Sequence, residues 1–112
     1  MTPEERLAFA GICQHVQSAL EVNFEGKGVT GHLLFPGEDS YIVEVSCGVY
    51  LVAIVIPEDV LKDGLIEATV CLDDRYLLNK KFESWDVVAA SEACWTALHD
   101  HYKELGAFLF GT

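Results

Sequence analysis

Basic residues are scarce in this chain. Seven lysines and arginines stand against 18 aspartates and glutamates in 112 residues, a formal net charge of −11. A surplus of that size repels nucleic-acid phosphates and anionic membranes, so neither is expected as a direct ligand. Long apolar runs are lacking as well. The longest, Val49 to Ile56, is eight residues, far short of the roughly 20 that span a bilayer. The opening Met1-Thr2-Pro3-Glu4-Glu5 has none of the basic character of a secretory signal. The four cysteines, Cys13, Cys47, Cys71 and Cys94, occur singly in apolar segments without a Cys-x-x-Cys pair, which argues against a zinc ribbon or a thioredoxin-type site. They read as buried thiols of a cytoplasmic protein.

What is present is a core. Hydrophobic residues make up 51% of the chain, too many for an acidic disordered segment and enough for one domain over residues 1–112 without metal or disulfide staples. Thr2-Pro3-Glu4-Glu5 reads as a capped helix start, followed by Phe9, Ile12, Cys13, Val16 and Leu20 on one face. Gly26-Lys27-Gly28 should break that helix. The period then changes to two. Strands are expected over Val29 to Phe35, Tyr41 to Cys47 and Val49 to Ile56, with a turn at Pro36-Gly37-Glu38-Asp39. The third strand is apolar on both faces and should be central, covered on both sides by helices or by a second subunit.

Pro57 to Gly64 reads as a short helical turn, Ile66 to Leu72 and Tyr76 to Phe82 as two further strands joined at Asp73-Asp74-Arg75. Ser84 should cap a last helix with an apolar stripe of Val88, Trp95, Leu98, Tyr102 and Leu105, stopped by Gly106. The expected fold is therefore α+β, an antiparallel sheet of about five strands flanked by N- and C-terminal helices in the order α-β-β-β-short α-β-β-α. A short tail, Ala107 to Thr112, is left over.

Catalytic patterns do not assemble. His99 and His101 sit two apart on a helix, about 200° around its axis, and cannot chelate one ion as an i, i+4 pair could. Cys94 and His99 are off the i, i+4 register, and Cys47 and Cys71 lie in apolar strands where a thiolate is costly. Neither Gly-x-Ser-x-Gly nor a Gly-x-x-x-x-Gly-Lys phosphate loop occurs. Paired carboxylates such as Glu4-Glu5 fall at turns and helix starts, where solvent keeps both ionised instead of splitting their pKa values. Glu44 sits within a strand, on its solvent face or near an edge. No metal, cofactor or catalytic residue is expected.

The charge distribution says more. Between Pro36 and Asp74 there are nine acidic residues and one basic one, Lys62. Glu38, Asp39, Glu58, Asp59, Asp63, Asp73 and Asp74 all fall in connections. They either keep a hydrophobic sheet soluble or form an acidic edge that steers a basic protein partner. Apolar material is also in surplus: two tryptophans and the Phe108-Leu109-Phe110 tail have few elements to cover them. The tail either folds back as an extra strand or joins an interface, with homodimerisation as one outcome.

In element order and acidity the chain resembles the small chaperones of type III secretion systems. The segment from Ile66 to Leu105, a strand, a turn at Asp73-Asp74, a strand and a closing amphipathic helix, is the most similar part. The resemblance implies a dimer holding an effector segment on a hydrophobic surface, although the middle helical segment is shorter here than the family's dimer element. The function expected first is a non-enzymatic acidic inhibitor of the immunity or phage anti-defence (anti-CRISPR) type. Its partner-binding residues would be the seven connection carboxylates with Phe108 and Phe110. A dimeric chaperone or adaptor is the alternative, and a small enzyme ranks last.

Overall fold

The computed structural model describes residues 2–24, 28–33, 40–47 and 49–110, and for 23, 32, 33, 47 and 102–110 the backbone alone. The elements follow the expected order: α1 (Pro3–Asn23), β1 (Thr30–Leu33), β2 (Tyr41–Cys47), β3 (Tyr50–Ile56), α2 (Val60–Asp63), β4 (Leu65–Leu72), β5 (Arg75–Glu83) and α3 (Val87–Phe110). The α+β class and the five-stranded antiparallel sheet are as the sequence implied.

Each local start and stop has a chemical cause. The Thr2 hydroxyl accepts from the Glu5 amide at 3.1 Å while the Thr2 amide donates to the Glu5 carboxylate at 3.2 Å, a reciprocal cap. Gly64 ends α2 at φ 71, a left-handed conformation that glycine adopts without penalty. Asp73 takes φ 54 in the two-residue β4–β5 turn, where a short polar side chain tolerates that region. At Gly31 a Cβ would strike the Tyr41 ring and the Gln17 side chain, so a larger residue there would displace both.

The strands form a meander, β1-β2-β3-β4-β5, each antiparallel to its neighbour. Register fixes the two faces. Val43, Ile54 and Ala68 lie opposite one another, as do Val45, Val52 and Val70, and all are buried. They form one core with Phe9, Cys13, Val16 and Leu20 of α1 and Val87, Ala90, Cys94 and Leu98 of α3. In this layer α1 packs on β2 and β3, α3 on β4 and β5, and the two helices pack against each other.

Several expectations are corrected. β3 is central, but helices cover only one of its faces. On the other face Leu51 is 37% exposed and Val55 half-buried, so among the described residues no helix supplies the second cover. Ser84 does not cap α3: its amide donates to the Gly64 carbonyl at 2.7 Å, and the helix begins at Val87, after Asp86. Gly106 does not stop the helix, and residues 107–110 are neither a loose tail nor an extra strand but its last turn. A single glycine disfavours helix by about 1 kcal/mol, which Leu105, Ala107 and Leu109 around it can offset. Cys71 is half-buried on the open face instead of sitting in the core, while Cys13 and Cys94 are buried as expected.

The inner face of α3 also differs from the expected stripe. Val87, Ala90, Ser91, Cys94 and Leu98 are buried, whereas Val88 is 54% and Trp95 48% exposed. Both stripes satisfy helical spacing. The smaller side chains face inward because they let the helix axis approach the sheet, and this rotates Val88 and Trp95 outward by about 100°, one residue's turn.

Candidate interaction surface

Strand register divides the acidic connections between the two ends of the sheet. The β3–β4 connection carries Glu58, Asp59 and Asp63, all exposed, at one end. The β4–β5 turn carries exposed Asp73 and Asp74 at the other, separated by the eight residues of β4 or about 25 Å. Those five carboxylates therefore cannot form one continuous edge. Glu38 and Asp39 lie outside the described residues. Residues 108 and 110 fall on the last turn of α3, where the backbone alone is described.

At the β3–β4 end the fold adds groups that sequence spacing did not bring together. Thr2 and Glu5 from the start of α1 join Glu58, Asp59, Leu61 and Lys62 around an open recess of about 400 Å³. A second recess of about 190 Å³ places Asp59, Asp63 and Glu67 near Lys81. Lysine is thus interleaved with the acid. The bonds from the Thr2 amide and hydroxyl hold the Glu5 carboxyl below its usual range. Sequence alone could not show this convergence, because α1 and the β3–β4 connection are more than fifty positions apart.

The open sheet face alternates apolar and polar groups. Ile42, Val55, Glu67 and Lys81 form one cross-strand row, Glu44, Ala53, Thr69 and Asn79 the next. The Thr69 hydroxyl donates to the Ala53 carbonyl at 3.3 Å, so this buried polar side chain is satisfied. Tyr76, at 63% exposure, closes the face at the β5 edge beside half-buried Cys71.

The helical layer holds the other surplus. Val22 of α1, 78% exposed, lies with Val88 of α3 on a groove that His15, Ser18 and Ala19 complete, of about 240 Å³. Trp95 stands edge-on to the buried Phe24 ring, centroids 5.4 Å apart, and keeps half its surface in solvent. Trp85, just before α3, is 76% exposed. The sequence signal for this surface was present as two competing stripes on α3; only packing against the sheet decides between them.

No family model, curated protein or solved structure matches this chain.

Two of the thiols and one histidine have structural surroundings. Burial pushes the Cys13 thiol up to about 11 and the Cys94 thiol up to about 12, which disfavours thiolates at either position. Burial, and then the nearby Cys13, also raise the Tyr41 phenol. His101 Nδ1 shares a hydrogen bond with the Tyr50 hydroxyl at 2.7 Å and meets its ring edge-on, tying the middle of α3 to β3. His99 is exposed and points elsewhere, as two-residue spacing requires. Among the described residues no group of three or more His, Cys, Asp or Glu could hold a metal, and no helix is long and apolar enough to cross a membrane.

Proposed function

We propose that this chain is a non-enzymatic acidic protein-binding protein of the inhibitor type, blocking a basic surface on a target protein in a reducing, cytoplasmic setting. One observation carries this reading: exposed Val22, Val88 and Trp95 sit on a helical layer whose fixed charges are mostly negative, Glu4, Glu5, Glu21, Glu92, Asp100 and Glu104 against Arg6 and Lys103. Apolar and aromatic groups supply contact energy in protein interfaces, and surrounding charge selects the partner and speeds encounter. The acidic β3–β4 end extends the same field. Asp73 and Asp74, at the far end, act through long-range attraction and not in the same contact.

Affinity capture of the tagged chain, followed by stopped-flow association with the captured protein, tests the proposal. Replacing Glu58 and Asp59 with Gln and Asn, together with Asp63→Asn, should slow association several-fold and flatten its dependence on salt. Unchanged kinetics in this triple variant would remove the steering role.

The open sheet face favours a second reading, a dimeric chaperone or adaptor of the type III secretion kind. Ile42, Leu51, Val55 and Leu65 are only partly covered there, as a surface awaiting a second subunit would be. Mass measurement in solution separates the two: a stable dimer whose partner binding tolerates salt favours the chaperone, a monomer the inhibitor.

A further inference from the structure

Resting on the protein-binding reading above, we propose that the seam between α1 and α3 docks one amphipathic helix of a partner protein, apolar on its inner face and basic along its flanks. The groove crosses both helices: Ala19 and Val22 of α1 and Val88 of α3 give its apolar lining, and Trp95 lies two turns further along α3. On α1, His15, Ser18, Ala19 and Val22 fall at i, i+3, i+4 and i+7; on α3, Val88 and Trp95 are seven apart. Each stretch rises about 10 Å along its helix, long enough to meet two turns of a third helix through anchors at i, i+3 or i+4, and i+7. The groove of about 240 Å³ is open and lies below the roughly 300 Å³ at which small-molecule pockets begin. It suits inserted side chains, not a metabolite. Trp95 contributes the aromatic anchor common at such sites, held in place by its edge-on contact with Phe24.

Charge identifies the occupant. From Leu7 to Phe24 and from Trp85 to His101 the fixed charges are Glu21, Asp86, Glu92 and Asp100, with no lysine or arginine. Arg6 and Lys103 lie beyond these stretches, toward the start of α1 and the end of α3, and Lys80 stands over the Phe82 ring on β5. A second copy would bring like charges together along the whole seam, and an anionic membrane would be repelled. A helix carrying lysine or arginine beside its apolar stripe meets both the groove and its rim.

The test uses the full chain and three synthetic helical peptides. One has leucines at helical spacing with lysines elsewhere, one replaces the lysines by glutamates, and one scrambles the leucine–lysine order at constant charge. Binding is followed by tryptophan fluorescence and calorimetry. The ordered leucine–lysine peptide is expected to bind at least about tenfold more tightly than either control. The pair Val22→Ser with Val88→Ser, and separately Glu21→Gln with Glu92→Gln, should each weaken it by about tenfold. All four positions are exposed, and unchanged thermal melts would show that the variants fold.

Equal binding of the ordered and scrambled lysine peptides, or loss only on neutralising Glu58, Asp59 and Asp63, overturns the seam while leaving a basic partner in place. Binding of no lysine peptide overturns both readings. A dimer in solution that dissociates in the Val22→Ser, Val88→Ser variant overturns the choice of partner.

Discussion

Ile54 and Val55 are neighbours on the central strand whose side chains point to opposite faces, and truncating each to alanine measures what covers the sheet. Ile54 is fully buried against the helices. Removing three carbons forfeits about 2.4 kcal/mol of transfer free energy at about 0.8 kcal/mol per carbon. The cavity left under two helices raises the loss to about 3–4 kcal/mol, within the range for such truncations. Val55 is half-buried on the open face, and two carbons at about half that value, with a small loss of strand preference, give about 1 kcal/mol. For a domain of this length the midpoint of thermal unfolding should fall by about 4 °C per kcal/mol. Ile54→Ala is thus expected to lower it by well over 10 °C and Val55→Ala by about 4 °C. Thermal and urea unfolding followed by far-ultraviolet circular dichroism at two protein concentrations about a hundredfold apart read the midpoints and the free energies. If a second subunit sealed the open face, Val55→Ala would lose about 2 kcal/mol or more and the transition would shift with concentration. A Val55→Ala loss equal to that of Ile54→Ala would refute the single helical layer.

Thiol chemistry gives a second check. With their thiols raised by burial, Cys13 and Cys94 should resist alkylation in the native protein at pH 8, while half-buried Cys71 reacts before either; mass spectrometry of the labelled positions decides. The same shifts set a stability limit in alkali. Below the ordinary thiol value of 9.0 both thiols are protonated folded and unfolded, so they add no pH dependence. Above it the unfolded chain releases its protons first, and stability should fall with rising pH until the folded values of about 11 and 12 are reached, by about 1.4 kcal/mol per unit for each thiol. A Cys13→Ala, Cys94→Ala variant with an unchanged slope would refute that origin. Gly64→Ala, which forces a side chain into φ 71, should destabilise by about 1 kcal/mol, and a neutral or stabilising effect in urea unfolding would contradict the turn.

Element order was legible because the chain punctuates itself. The Thr2-Pro3 start, the left-handed Gly64 stop and the Asp73-Asp74 turn are local signals, each sufficient to place a boundary within a residue or two. The inner face of α1 was legible for a related reason: Phe9, Cys13, Val16 and Leu20 form its one bulky apolar stripe, so periodicity has a single solution. On α3 it has two. Val88 and Trp95 compete with Val87, Ala90, Ser91 and Cys94, and hydrophobicity favours the wrong set. Distance of approach to the sheet, a property of the assembled layer, reverses the choice. The end of the same helix escaped for the opposite reason: Gly106 is a local stop signal overridden by its neighbours.

The same distinction explains why charge counted along the chain suggests one acidic edge where the sheet has two acidic ends. Charge counted along the chain places Glu58, Asp59, Asp63, Asp73 and Asp74 within 17 positions of one another, yet β4 runs the length of the sheet between the last two pairs. An antiparallel meander alternates its connections between the ends, so consecutive turns are always on opposite sides. Any acidic cluster drawn from the β3–β4 and β4–β5 connections together is therefore forbidden by topology. The field that a partner meets must come from one end or from the helical layer, and in that layer the carboxylates adjoin exposed tryptophan and valine. Charge and contact area coincide there because the helix that turned its small residues to the sheet had to turn its large ones to solvent.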